Sequence, residues 1–192
     1  MFWLLLKTIH AKILYSLDMP YSIEVHFDDN TNATIRNMWK VISENNIPCR
    51  AFEKNFSPHL TLVYGEITGA KKVNWEFLTS QKSFQIEFTG LAAFPDRGLL
   101  FLSPEKSQLL SDLHKLHDSQ IEFSSMNKFY RVDLWDPHCS LASRLSPKQL
   151  DKCVSLFDDF QFPIQATCVS SNFVKYPDPK VLSTFEYQMP ER

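Results

Sequence analysis

The sequence predicts an α+β chain made of two similar strand–helix–strand units related by a pseudo-twofold axis. Three observations carry this expectation. Residues 21–28 alternate polar and apolar, as a half-buried strand does, and apolar residues at helical spacing follow. A second such strand begins at Leu99 and is again followed by a helical stripe. Each unit then ends on nearly the same words, Pro58-His59-Leu60-Thr61-Leu62 and Pro137-His138-Cys139-Ser140-Leu141. Tyr21 lies 38 residues before His59 and Leu99 lies 39 before His138, so the units also match in length.

Within Tyr21–Asp28, Ile23, Val25 and Phe27 share one face, and Ser22, Glu24, His26 and Asp28 share the other. Asp28 to Thr31 reads as a helix start, continued by Ile35, Met38, Trp39 and Ile42. The first motif strand covers about 58–64, and a variable stretch containing Trp75 follows. Phe84–Phe94 and Leu99–Ser103 read as strands paired across the Pro95-Asp96-Arg97-Gly98 turn. Pro104 and Glu105 are expected to open a helix reaching about His117, with Leu109, Leu110, Leu113 and Leu116 as its apolar stripe. A polar loop through Ser124, Ser125 and Asn127 leads to Tyr130, Trp135 and the second motif strand. Ser146-Pro147 begins another helix with Leu150, Val154 and Phe157 inward, and strands near 161–169 and 171–176 close the chain.

A chain of 192 residues with 44% hydrophobic side chains suits one domain, burying about 70% of its unfolded surface. Net charge is −2 and the basic residues are scattered, which excludes a bulk nucleic-acid binder but not recognition of a small nucleotide or an RNA end. The four cysteines show no CxxC or zinc-like spacing and read as reduced thiols of an intracellular, cytoplasmic protein. Strand alternation turns Cys139 towards the core. Residues 1–18 read as an N-terminal extension ahead of a domain spanning 19–192. Lys7 and Lys12 accompany Leu6, Ile9, Ile13 and Leu17 at helical spacing. A packing segment or an upstream start is expected there. A mitochondrial presequence is the alternative, against which the lack of Arg counts. The apolar run Phe2–Leu6 is too short for stable membrane insertion.

The motifs carry the chemistry. Period 2 places His59 and Thr61 on one face of their strand, and His138 and Ser140 on one face of theirs. Facing each other across a cleft, these strands would surround one phosphate with two imidazoles and two hydroxyl donors. Imidazole titrates near pH 6.5, so one ring can be neutral while the other is protonated. That division of labour suits phosphodiester chemistry without a metal.

Paired His-x-[Thr/Ser]-aliphatic motifs about 80 residues apart resemble the two-histidine phosphoesterase superfamily. It includes cyclic phosphodiesterases, LigT-like 2′-5′ RNA ligases and enzymes that trim RNA 3′ ends. The resemblance covers roughly Tyr21 to Tyr176. It implies a bilobal α+β fold, with two antiparallel-rich sheets backed by helices around a central cleft and lobes built on 21–64 and 99–142. It also implies that His59, Thr61, His138 and Ser140 are the four catalytic positions, with no cofactor and no metal. The expected reaction is hydrolysis of 2′,3′-cyclic phosphates of nucleotides or RNA ends by a monomer. A 2′-5′ phosphodiesterase or ligase and a 3′-5′ exonuclease are the rivals within the class. A non-catalytic RNA-end-binding module is the rival from another class.

Weaker candidates surround these four. His26 and Glu24 would line the groove or simply face solvent. Tyr130 and Trp135 would stack a base, with core packing the stronger reading of Trp135. His114 and His117 read as a solvated helix face rather than metal ligands. Lys54, Lys128 and Arg131 flank the motifs and would attract phosphate.

Overall fold

Strand β1 (Pro20–Phe27) leads into helix α1 (Asp29–Glu44), a single-turn helix α2 (Arg50–Glu53) and strand β2 (His59–Ile67). Strands β3 (Phe84–Phe94) and β4 (Leu99–Pro104) form a hairpin. Helix α3 (Gln108–Gln120), strand β5 (Phe123–Met126), strand β6 (Cys139–Ala142) and helix α4 (Pro147–Ser155) follow. Strands β7 (Ile164–Lys175) and β8 (Lys180–Glu186) complete the order. The computed structural model describes residues 19–67, 81–120 and 123–189, so the expected extension at 1–18 and the stretch around Trp75 lie outside the described residues.

The strands form one eight-stranded antiparallel sheet in the order β5-β2-β1-β7-β3-β4-β6, with β8 beside β7. The α+β, antiparallel-rich class is therefore as expected. The two sheets expected from the sequence are one, continuous through β7, whose twelve residues divide their partners. Residues 164–168 pair with β3, whereas 168–175 pair with β1 and 170–175 with β8. The two β-α-β units are β1-α1-β2 and β4-α3-β6, and in each the two strands are direct antiparallel neighbours.

Local chemistry explains several boundaries. The Asp28 carboxylate accepts the Thr31 N–H at 2.8 Å and caps α1, whose Ile35, Met38, Trp39 and Ile42 enter the core. Ser146 and Gln149 form a reciprocal capping box at the start of α4, with Pro147 in its first turn. Gly98 ends the hairpin turn at φ 55°, in the left-handed region. A Cβ there would stand 2.1 Å from the Leu145 carbonyl oxygen, so glycine also permits the approach of the 144–146 segment.

Other boundaries differ from the sequence reading. Pro104 is still paired with Phe88, and the Glu105 N–H donates to the Glu87 carbonyl, so β4 runs through the residues expected to open α3. Ser107 caps the helix instead, its hydroxyl accepting the Leu110 N–H. The inward face of α3 is Leu110, Leu113, His114 and His117, while Leu109 and Leu116 are 45% and 38% exposed. Two histidines thus occupy core positions expected to be solvated, because their ring nitrogens find backbone carbonyls there. In α4 Cys153 points inward and Val154 outward. The polar loop at Ser124–Ser125 is strand β5, paired with the far end of β2, where Gly65 has no side chain to collide with Ser125. Finally, Ser170-Ser171-Asn172 resemble a break in sequence but are paired on both sides, making β7 continuous.

Candidate active site

The two motif strands meet along their free edges. Among the described residues β5 pairs with β2 only from Gly65 onward, which leaves the His59–Val63 part of that edge open, and β6 ends the sheet order. Unpaired strand edges need other partners for their backbone groups. Two tryptophans supply them crosswise. Trp135, just before the second motif, donates its indole N–H to the Thr61 carbonyl at 3.0 Å. Trp39, from α1, donates to the Ser140 carbonyl at 3.1 Å. The Cys49 thiol adds a contact to the Leu141 carbonyl at 3.3 Å.

Alternation then does what period 2 demands. Leu60, Leu62, Cys139 and Leu141 are buried, while His59, Thr61, His138 and Ser140 lie at partly or fully exposed positions between them. Cys139 is fully buried, and burial pushes its thiol up to about 12, so it packs as a neutral side chain.

Both histidines are oriented in the same way. His59 Nδ1 lies 2.8 Å from the Ser57 carbonyl and His138 Nδ1 2.7 Å from the Asp136 carbonyl. A carbonyl can only accept, so each Nδ1 carries the proton and donates it, leaving Nε2 to exchange protons with a ligand. The proline between each pair explains the geometry. It fixes its own φ and keeps the residue before it extended, which sets the carbonyl two residues back against the ring.

The environments of the two rings differ. His138 packs against Phe101 at 5.2 Å and meets Phe94 edge-on at 5.8 Å. Burial lowers its basicity, Asp136 opposes that, and the charges of His59 and Arg97 lower it further. His59 instead has the Glu24 carboxylate 3.7 Å from Nδ1 and the His26 ring at 5.7 Å. Tyr130 sits at the Thr61 hydroxyl. Burial, with the charge of Glu24, pushes its phenol up to about 12 against the effect of that hydrogen bond.

Of the weaker candidates, His26 is buried, not solvent-facing, and its Nε2 lies 3.4 Å from Glu24 Oε2. Glu24 is buried with it. Trp135 packs against the core and stacks on His114 at 4.2 Å, so one face of the indole is occupied. His114 Nε2 donates to the Tyr130 carbonyl at 2.9 Å, tying α3 to the loop that carries Tyr130 and Trp135. Lys128 lies 5.0 Å from the Phe129 ring. Among the described residues, no group of three or more His, Cys, Asp or Glu is arranged to hold a metal ion.

No local signal marks Arg97 for the site, since Pro-Asp-Arg-Gly encodes turn chemistry alone. The hairpin carries its guanidinium over Phe129 at 3.4 Å and beside Phe94 at 4.8 Å. Its charge acts on both His138 and Tyr130. Tyr176 likewise carries no local signal, and its hydroxyl donates to Glu24 Oε1 at 2.6 Å.

The sequence model of the 2′-5′ RNA ligase superfamily matches residues 54–179. This span is more than half of the chain and takes in both His-x-hydroxyl strands. The chain belongs to that superfamily of two-histidine phosphoesterases. The fold of this family member resembles Escherichia coli LigT complexed with phosphate, with a TM-score of 0.58 at 14% identity, covering 90% of this chain and 99% of LigT. LigT complexed with 3′-AMP gives 0.57 at 14% identity, covering 88% of this chain and 98% of LigT. A structure described as a phosphoesterase gives 0.58 at 14% identity, with coverage of 88% and 98%. No curated protein matches the chain by sequence. No described helix is long and apolar enough to cross a membrane.

Proposed function

We propose that this superfamily member is a metal-independent phosphodiesterase that hydrolyses 2′,3′-cyclic phosphates of nucleotides or RNA ends. In this reading residues 19–192 form one catalytic domain around the units 21–64 and 99–142. The observation that carries it is the paired orientation of His59 and His138, each with Nδ1 committed to a backbone carbonyl and Nε2 left for proton transfer.

One imidazole takes a proton from the attacking water, and the other gives a proton to the departing ribose oxygen. Thr61 and Ser140 hydroxyls donate to the non-bridging phosphate oxygens, whose negative charge grows in the transition state. Arg97 adds positive charge at the rim of the site, and the net charge of −2 favours short substrates over a long RNA track. His26 backs His59, while Tyr130 and Trp135 form the wall between Thr61 and α3.

The test is turnover with EDTA present on 2′,3′-cyclic UMP, a 2′-5′-linked dinucleotide and an oligouridine with a free 3′ end. Hydrolysis of the cyclic phosphate that disappears in the His59→Ala/His138→Ala double mutant supports the proposal. Cleavage of only the dinucleotide or the oligouridine would reassign the substrate. Binding of cyclic-phosphate ends with no turnover at any pH would replace the enzyme by an end-binding module.

A further inference from the structure

Glu24 is the ionisable group that two-histidine chemistry leaves unused. β1 aims it at the first motif, since Glu24 pairs with Thr61 and His26 with His59. It is 3% exposed. Burial alone would favour the neutral acid, but His59, His26 and the Tyr176 hydroxyl outweigh burial and hold its pKa at about 2. Oε1 accepts from the Ser22 hydroxyl at 2.7 Å and from Tyr176 at 2.6 Å. Oε2 lies 3.4 Å from His26 Nε2 and 3.7 Å from His59 Nδ1. A carboxylate is costly to remove from water unless its lone pairs are matched. Here one of the matching groups is a motif imidazole.

The second motif has no buried counterpart among the described residues: Asp136, the carboxylate that acts on His138, is partly exposed and paired with Lys106 at 3.2 Å. Phe101 lies opposite Ser140 as Glu24 lies opposite Thr61. The pseudo-twofold relation that holds for the backbone is therefore broken in charge, with a buried carboxylate from the neighbouring strand beside one imidazole and a buried benzene ring beside the other. The remaining ionisable groups do not cancel this difference. Around Glu24 and His59 stand His26 on β1, Tyr64 on β2, Tyr130 in the turn before the second motif, and Tyr176 after β7. His138 stands across the groove with Arg97 at its rim and with Asp136 two residues before it, whose charge is offset by Lys106 and does not overcome the burial of the ring. Burial raises all three tyrosines, so none of them is an anion near neutral pH.

We infer that Glu24 is a positioning residue that sets the direction of proton flow, making His59 the proton donor and His138 the proton acceptor in ring opening. The inference rests on the diesterase reading above. A negative charge beside a ring favours a positive charge on it, and an apolar wall disfavours one. The water oxygen bonds to phosphorus as His138 Nε2 takes its proton. The bond from phosphorus to the ribose oxygen breaks as His59 Nε2 supplies a proton to that oxygen. His138 ends as the cation and His59 as the neutral ring, and exchange of one proton each with solvent restores the start.

Glu24→Gln tests this, because the amide oxygen can still accept from Ser22 and Tyr176 while the charge is gone. Two substrates are compared: 2′,3′-cyclic UMP, and its analogue with sulfur in place of the departing ribose oxygen, whose thiolate leaves without a proton. On cyclic UMP, kcat is expected to fall about 10-fold or more. On the sulfur analogue the loss should stay within about 3-fold. Tyr176→Phe removes one hydrogen bond from the carboxylate and should show a smaller loss with the same leaving-group dependence, whether or not Glu24→Gln folds. Equal losses on both substrates, or none on either, with an active wild type overturn this inference alone. A wild type inactive on both overturns the diesterase reading as well.

Discussion

Trp39→Phe isolates the crosswise clamp between the two units. The indole N–H is the donor that reaches the Ser140 carbonyl, 101 residues away in sequence, and the side chain is 2% exposed. Phenylalanine keeps most of the apolar contact but removes the donor, leaving a carbonyl on the edge of β6 without that partner. Ser140 is exposed and the bond only part-buried, so its loss costs about 0.5–1.5 kcal/mol. The missing pyrrole ring leaves a void worth about 1 kcal/mol more. The expected destabilisation is therefore about 1.5–2.5 kcal/mol. In a chain of this length each kcal/mol moves Tm by about 2–4 °C, so a fall of roughly 3–10 °C is expected. Urea unfolding followed by far-UV circular dichroism is the suitable assay, because removing a tryptophan alters the fluorescence signal itself. The variant should also lose kcat/KM on the proposed cyclic phosphate substrate, since the freed carbonyl belongs to Ser140, whose hydroxyl is proposed to hold the phosphate. A destabilisation below about 0.5 kcal/mol, the range of ordinary surface substitutions, would refute the clamp.

His59→Ala and His138→Ala should each reduce turnover by about 10²–10⁴, and Thr61→Ala or Ser140→Ala by up to about 10²–10³; a wild-type rate in either histidine variant removes that residue from the mechanism. Gly98→Ala must place a Cβ 2.1 Å from the Leu145 carbonyl oxygen at a positive φ, so a loss of about 2–5 kcal/mol is expected. A melting temperature within about 2 °C of the wild type would contradict it. His117 is fully buried, and burial lowers its pKa from 6.5 to about 4, so the unfolded chain binds the proton more readily than the native one. Its stabilising contribution is complete above pH 6.5 and is lost as pH falls towards 4, by about 3 kcal/mol in all. Urea midpoints at pH 7 and pH 4.5 measure this loss, and the same loss in His117→Leu would assign it elsewhere.

Much of the architecture was legible because its signals are local. The alternation of Tyr21–Asp28, the Asp28 and Ser146 caps, the Pro-Asp-Arg-Gly turn and the duplicated motif each depend on neighbours within a few residues. Local pattern misleads where tertiary partners override it. Leu109 and Leu116 looked like core, but His114 and His117 took the inner face of α3 because carbonyls of Tyr130 and Leu113 satisfy their rings. β8 carries little sequence signal because it is a largely exposed strand with only three partly buried positions, Leu182, Ser183 and Phe185. Ser170–Asn172 looked like a break because its pairing partners are distant in sequence.

The candidate site divides along the same line. Sequence alone determined its four central residues and their spacing, since a period of two and a preceding proline orient a histidine and a hydroxyl whatever surrounds them. What each imidazole faces was decided only by the tertiary structure. β1 sets Glu24 and His26 beside His59, and β4 sets Phe101 beside His138, through strand pairings that no local pattern encodes. Proton affinity depends on charges and apolar surface within a few ångströms in space, and here those come from residues tens of positions away along the chain.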